Sequence, residues 1–163
     1  MDALYNWMTA TWINRAVLDY PWTWPALETL HFLGLCMLIG ALLIMDLRLI
    51  GFQRVIPLSA VHALTPVAVA GFVINTVTGV AFLFGDPRMY FANYAFWLKM
   101  GLIVLAALNF LLFTLRVEPR LATLGPNEDT PISAKAIGVS SLVFWFGVLG
   151  FGRLLPYLGV GGG

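Results

Sequence analysis

The sequence predicts an all-α integral membrane protein, an up-down four-helix bundle preceded by an N-terminal interfacial amphipathic helix. Of its 163 residues, 60 % are hydrophobic and 10 % are charged, whereas soluble chains carry about 25 % charged residues. The mean hydropathy is +0.88, and the charged residues are grouped between long apolar runs. This composition excludes a soluble enzyme and a disordered chain. A nucleic-acid binder is also excluded, because it would need a basic patch and the net charge is only +1.

Four segments are long and apolar enough to cross a membrane, which takes about 20 residues for a helix. They cover residues 26–50, 60–84, 90–115 and 136–158. Strands are excluded because open sheet edges in lipid would leave backbone groups unpaired. The connections between the segments are short, so residues 26–158 are predicted to form one antiparallel four-helix domain.

Residues 1–25 are predicted to form an amphipathic helix at the membrane interface, followed by an aromatic linker. Tyr5, Met8, Trp12 and Ala16 share one face of this helix. The linker carries Tyr and Trp rings, which are favoured at headgroup depth because one end is apolar and the other can stay wet. The start of the chain has no positively charged run, so it is not expected to be a cleaved signal.

Lysine and arginine residues near the helix ends predict the orientation, because they accumulate on the cytoplasmic side. The first and third connections carry five of them, and the opposite side carries three. We therefore expect the first and third connections in the cytoplasm and both termini outside. The five residues of the first and third connections are Arg48, Arg54, Arg116, Arg120 and Lys135, and the three on the opposite side are Arg15, Arg88 and Arg153.

The glycine-rich end, residues 159–163, is expected to be a flexible tail.

Ionisable side chains inside a span are costly, so each needs a partner or a function. Five residues of the predicted spans are of this kind: Glu28, His31, Asp46, His62 and Lys99. Arg48 and Arg153 lie near helix ends, where their side chains can reach the headgroups. The single Cys36 excludes a disulfide framework, and no motif of a soluble catalytic site is present.

His31 is the strongest candidate for a ligand. Glu28 lies three residues before it and shares its helix face, and a metal-bound histidine usually donates its second ring N–H to a carboxylate or carbonyl. Gly34 removes a side chain beside the imidazole, as a flat macrocycle would require. The alternative is a histidine that is hydrogen-bonded to a neighbouring helix, and the sequence leaves both interpretations open.

Lys99 and His62 are placed by the alternating direction of the helices. Lys99 is expected at the depth of His31, where it could reach the headgroups, pair with Glu28 or bind an anionic cofactor group. His62 is expected to open the second span on the other side, where it could cap the helix or pair with Asp46. The residue level with His31 should be near Gly79, and that position is roughly 25 Å from His62 along a helix. One haem therefore cannot bridge both histidines.

Three short segments resemble the small four-helix membrane proteins of the copper-resistance D and HemJ type. They are Leu30-His31-Phe32-Leu33-Gly34-Leu35, Phe96-Trp97-Leu98-Lys99 and Asn127-Glu128-Asp129-Thr130-Pro131. The resemblance implies that His31 is a haem b ligand and that Lys99 is its functional partner. Gly125-Pro126 stands where that type has an arginine, so the porphyrinogen oxidation of the HemJ type is not carried over.

The leading hypothesis is a haem b-binding protein of the bacterial plasma membrane that acts in electron transfer or as the redox membrane subunit of a complex. His31 would be the axial ligand, Glu28 would orient it, and Gly34 would leave room for the ring. Lys99, with Arg153, would neutralise the propionates. His62 would serve a second haem if it is a ligand.

Two other classes of function stay open. One is a cofactor-free scaffold subunit, which would assemble with itself or with a partner through small-residue helix faces. The other is a small transporter with Asp46, Lys99 and Glu28 along its path. Expected partners are the lipid bilayer and either a second copy of the chain or a redox subunit, and no nucleic acid is expected. Whether the protein is an enzyme, such as an oxidoreductase, is left open.

Overall fold

The computed structural model describes residues 2–121, 124 and 127–158, apart from the side chain of Arg120, and these residues form helices and connections without a strand. The predicted glycine tail and the Gly125-Pro126 element lie outside the described residues. The helices are α1 (Asp2–Thr9), α2 (Trp12–Leu18), α3 (Thr23–Ile50), α4 (Leu58–His62), α5 (Thr65–Gly85), α6 (Pro87–Phe91), α7 (Tyr94–Leu112), α8 (Glu118–Leu121) and α9 (Ile132–Leu154), and a π-helical turn (Phe113–Val117) joins α7 to α8.

The four predicted spans are confirmed as long apolar helices. Thr23–Ile50, Leu58–Gly85, Tyr94–Val117 and Ile132–Leu154 are each long and apolar enough to cross a membrane. Large apolar side chains cover their outer surfaces, as expected of helices whose surroundings are lipid rather than water. The protein is therefore an all-α helical bundle with the character of a membrane protein.

The four long helices pack as a row, with α3 and α9 in the middle. Helix α3 packs against both α5 and α9, and α7 packs against α9. Helices α5 and α7, although consecutive spans, make almost no contact with each other. The bundle is therefore open on the side between its second and third spans, which a regular up-down bundle would close.

Small residues let α3 approach its two neighbours closely. A Cβ atom added to Gly71 of α5 would lie 2.6 Å from the backbone oxygen of Gly34 and 2.6 Å from the backbone nitrogen of Leu38. A Cβ atom on Gly138 of α9 would lie 2.9 Å from the backbone oxygen of Asp46. Backbone contacts of this kind are typical of membrane helices, where small residues allow close packing. The space beside Gly34, predicted to be left for a macrocycle, is filled by α5.

The N-terminal segment is helical as predicted, but it is two helices rather than one. The chain breaks at Thr11, whose side chain accepts a hydrogen bond from the backbone N–H of Asn14 and so caps α2. On the predicted apolar face, Met8 is buried against the protein and Trp12 is 72 % exposed. Asn14 and Val17 are also buried, and the Asn14 amide donates to the backbone oxygen of Phe84 at 2.8 Å. Helix α2 thus caps the end of α5.

The second span is interrupted near its start. Helix α4 ends at His62, and α5 begins at Thr65 with Pro66 in its first turn. Proline is tolerated in the first turn of a helix but not in its interior, because it has no N–H to donate. His62 therefore lies near the start of the second span, as predicted, but it ends a short helix rather than beginning the long one.

Replacing Gly71 by alanine is expected to destabilise the protein, because the new methyl group meets backbone rather than a movable side chain. Overpacking of this kind costs ~1–3 kcal/mol. The matched control is Gly40→Ala, since a Cβ atom there meets nothing within 4 Å, and a change within about 0.5 kcal/mol is expected. Thermal unfolding in detergent measures both variants, and equal midpoints would contradict the close α3–α5 contact.

Candidate functional site

His31 is half-buried on α3 and faces α5. Its Nδ1 atom lies 2.7 Å from the hydroxyl oxygen of Thr78. The same hydroxyl lies 2.7 Å from the backbone oxygen of Ile74, one turn earlier on α5. His31 is therefore hydrogen-bonded to the neighbouring helix, which is the alternative that the sequence left open beside a ligand role.

This pair of hydrogen bonds fixes the proton on the imidazole. A hydroxyl group has one hydrogen to donate, and the carbonyl of Ile74 can only accept. The Thr78 oxygen therefore donates to Ile74 and accepts from His31, so that Nδ1 carries the ring hydrogen. In the neutral imidazole Nε2 then keeps its lone pair, and no described residue donates a hydrogen bond to it.

Aromatic and small residues hold the ring in place. The Phe82 ring meets the imidazole edge-on, with 5.6 Å between centroids, and Trp24 packs against Phe82 at 5.1 Å. A Cβ atom on Gly79 would lie 4.0 Å from the Cε1 atom of His31. The prediction that Gly79 is level with His31 is confirmed.

Lys99 lies in the third span, and its ammonium would lie 3.7 Å from a Cβ atom on Gly152 of α9. Its position at the depth of His31 stays a prediction. Lys99 is half-buried, and within the described part of the chain no carboxylate forms a salt bridge with it. A cation in these surroundings lacks the anion that would balance it.

Two of the predicted residues lie apart from the imidazole. Glu28 is exposed and accepts a hydrogen bond from the indole of Trp24 at 3.1 Å. Arg153 is exposed, and its guanidinium lies over the ring of Tyr157. The prediction that Glu28 orients His31 is therefore corrected, because the imidazole turns towards α5 while the carboxylate stays on the outer surface of α3.

His62 has different neighbours from those predicted. Its Nδ1 atom lies 3.7 Å from a carboxylate oxygen of Glu118, and its ring meets Phe113 edge-on at 5.7 Å. The alternative pairing with Asp46 is not formed. Among the described residues, no group of three or more His, Cys, Asp and Glu side chains is placed to hold a metal ion.

Sequence reasoning missed Thr78 as the partner of His31. In the sequence it is one of several small polar residues of the second span, and spacing alone does not select it. The one available signal is its position beside Gly79, the residue expected to be level with His31. Contacts between helices depend on their rotation, which the sequence pattern does not fix.

A second polar cluster ties the first and third connections together. The Asp129 carboxylate lies 2.7 Å from the Lys135 ammonium and 3.1 Å from the Arg54 guanidinium. The hydrogen bond from Lys135, together with the charge of Arg54, lowers the pKa of Asp129 below its ordinary value. Next to it, the Thr130 hydroxyl donates to the backbone oxygen of Leu49 at 2.6 Å.

Asp129 is expected to make stability depend on acid pH. Because its folded-state pKa is lowered, its contribution is complete above the unfolded value of about 4. The contribution is lost as the pH falls through the folded value. Unfolding midpoints measured between neutral and acid pH should therefore fall less steeply for Asp129→Asn than for the wild type. Asp19→Asn is the control, since Asp19 is exposed and forms no salt bridge among the described residues. Parallel curves for all three proteins would contradict the role of Asp129.

Comparison with known proteins identifies a family. Neither the curated proteins nor the solved structures contain a significant match. A family profile described as "Family of unknown function (DUF6644)" matches residues 5–158. The match includes all four apolar helices and the residues around His31. The chain therefore belongs to the DUF6644 family.

Proposed function

We propose that the protein binds haem b through His31 and acts in electron transfer, or as the redox membrane subunit of a complex. The observation that carries the proposal is the hydrogen bond from Nδ1 of His31 to Thr78. A metal-bound histidine usually donates its second ring N–H to a carboxylate, a carbonyl or water, which fixes its tautomer and orientation, and here the acceptor is the Thr78 hydroxyl. Thr78 would thus have the orienting role that the sequence suggested for Glu28.

In this proposal Nε2 of His31 would hold the haem iron. The chain has two histidines, and His62 lies beside Glu118 on the short helix that begins the second span. His31 is therefore the candidate for a single haem, and His62 is left out of the site. A bound haem b would supply one-electron redox chemistry at a potential set by axial ligation and burial.

Lys99 would balance the negative charge of the cofactor. A buried or half-buried ammonium without a carboxylate is costly in an apolar bundle, and a propionate would give it the missing anion. Gly152 supports this role because the absence of a side chain leaves room beside the ammonium. Arg153 contacts Tyr157 instead, so Lys99 is the cation on which the proposal depends.

The proposed setting is a bacterial plasma membrane, with the end of α9 outside. This orientation would place the cluster of Arg54, Asp129 and Lys135 in the cytoplasm, in agreement with the distribution of Lys and Arg near the helix ends. Alkaline phosphatase fused after residue 163 is expected to be active, and green fluorescent protein at the same place is expected to be dark. The reverse pair of results would invert the orientation.

Optical spectra test the haem directly. Protein purified from cells supplied with a haem precursor should show a Soret band, and a sharp α band after reduction with dithionite. His31→Ala is expected to lose both bands, because the ligand is removed. His62→Ala is the matched control and should keep them. A featureless wild-type spectrum, or full haem occupancy in His31→Ala, would overturn the proposal.

Replacing Thr78 tests the orienting hydrogen bond. Thr78→Val keeps the shape but removes the acceptor, and loss of such a partner lowers metal affinity by about 10–100-fold. Thr78→Ser should restore binding. Thr76→Val is the matched control, since Thr76 is exposed on the same helix and its hydroxyl bonds only to the backbone of Phe72. Titration of the apoprotein with haem measures these affinities, and equal values for both valine variants would contradict the role of Thr78.

A further inference from the structure

A cavity of about 300 Å³ lies between α3, α5, α7 and α9. It is separate from the His31 site, since none of the residues that contact the imidazole lines it. Val69 of α5 and Phe110 of α7 line the cavity and are 51 % and 47 % exposed. The cavity therefore opens to the outside between the two helices that do not pack together.

Asp46 is the polar group of this cavity that lacks a partner. Its side chain lines the cavity and is only 4 % exposed, and its Oδ2 atom is buried without a hydrogen bond. Ser141 also lines the cavity. A buried polar atom left unpaired is costly. A ligand in the cavity that hydrogen-bonds to Oδ2 would remove this cost.

The other amide in the wall does not supply that partner. Asn109 lines the cavity, but its nitrogen donates to the backbone oxygen of Ile137 at 3.1 Å. Its oxygen accepts from the hydroxyl of Ser140 at 2.9 Å. Both ends of the Asn109 amide are thus hydrogen-bonded to α9, and the Asp46 carboxyl group has the buried unpaired oxygen of the cavity wall.

Aromatic rings form much of the remaining wall. Phe72 and Trp145 meet edge-on on one side at 6.3 Å, and Phe110 and Phe113 pack together at 6.5 Å. The volume is at the lower end of the range for ligand pockets, about 300–1,000 Å³. It therefore suits a single ring better than a larger molecule, and the opening between α5 and α7 would let a substituent extend into lipid.

We propose that this cavity binds the ring of a lipid-soluble phenol or hydroquinone, with its hydroxyl group hydrogen-bonded to Asp46. A hydroxyl group both donates and accepts, so it satisfies Oδ2 in either protonation state of the carboxyl group. The aromatic wall matches the ring through edge-to-face contacts. This proposal does not rest on haem binding at His31.

The test uses the full chain in phosphatidylcholine nanodiscs and trimethylhydroquinone as the probe, without oxygen. Binding is measured by equilibrium dialysis against empty nanodiscs, which correct for partition into lipid. The matched ligand is the dimethyl ether of the same compound, which keeps the ring but cannot donate. We expect the hydroquinone to bind to the protein about tenfold or more tightly than the ether.

Two variants test the cavity from different sides. Asp46→Leu removes the carboxyl group and is expected to weaken binding about tenfold or more. Ala107→Phe places a ring in the cavity from α7 and is expected to abolish binding. Ala70→Phe is the control, since Ala70 is exposed and does not line the cavity. Unfolding midpoints of all variants verify that they fold.

The proposal fails if the hydroquinone enters protein-containing and empty nanodiscs equally, since water or lipid chains would then fill the cavity. It also fails if the ether binds as well as the hydroquinone, or if Asp46→Leu and Ala107→Phe both bind like the wild type. These outcomes leave the haem spectrum of the protein unaffected, so the two proposals can fail independently.

Discussion

The backbone contact between α3 and α5 at Gly34 and Gly71 is the constraint on which the rest of the structure depends. It brings the two helices close enough for the His31 imidazole to reach Thr78 two turns further along α5. On its other side α3 meets α9 through the contact of Gly138 with the backbone of Asp46. Helix α3 is therefore held between two neighbours. His31 and Asp46, one in each half of the span, depend on these glycine contacts for their positions.

The hydrogen bonds of polar side chains inside an apolar bundle distinguish residues that stabilise packing from residues that are available to a ligand. His31 uses one nitrogen in a contact with Thr78 and leaves the other without a donor from the described residues. Lys99 forms no salt bridge with a carboxylate of the described residues, and Asp46 has an unpaired oxygen. By contrast, Asn14, Asn93 and Asn109 each donate to a backbone carbonyl of another helix or connection. These three asparagines are thus accounted for by packing, and His31, Lys99 and Asp46 are the ionisable groups for which ligands are proposed.

The sequence predicts the spans well because a helix needs about 20 apolar residues to cross the bilayer, and apolar runs of that length are visible in the sequence. It also places Gly79 level with His31, since helical rise and alternating direction fix the depth of each residue. It does not predict the hydrogen-bond partners, because these depend on how each helix is rotated about its axis. Glu28 has the right spacing from His31, yet it bonds to Trp24. For the same reason the pairing of His62 with Glu118 and the cavity around Asp46 have no signature in the sequence.

The row-like packing has a consequence for how the chain assembles. Helices α3 and α5 are consecutive spans, and so are α7 and α9, so each pair forms a hairpin through contacts that are near in sequence. Local contacts of this kind form early, because little loop entropy is lost when they close. We therefore expect the contact of α3 with α9 to form last, when the two hairpins dock onto each other, and the hydrogen bond from Thr130 to Leu49 joins them in the final structure.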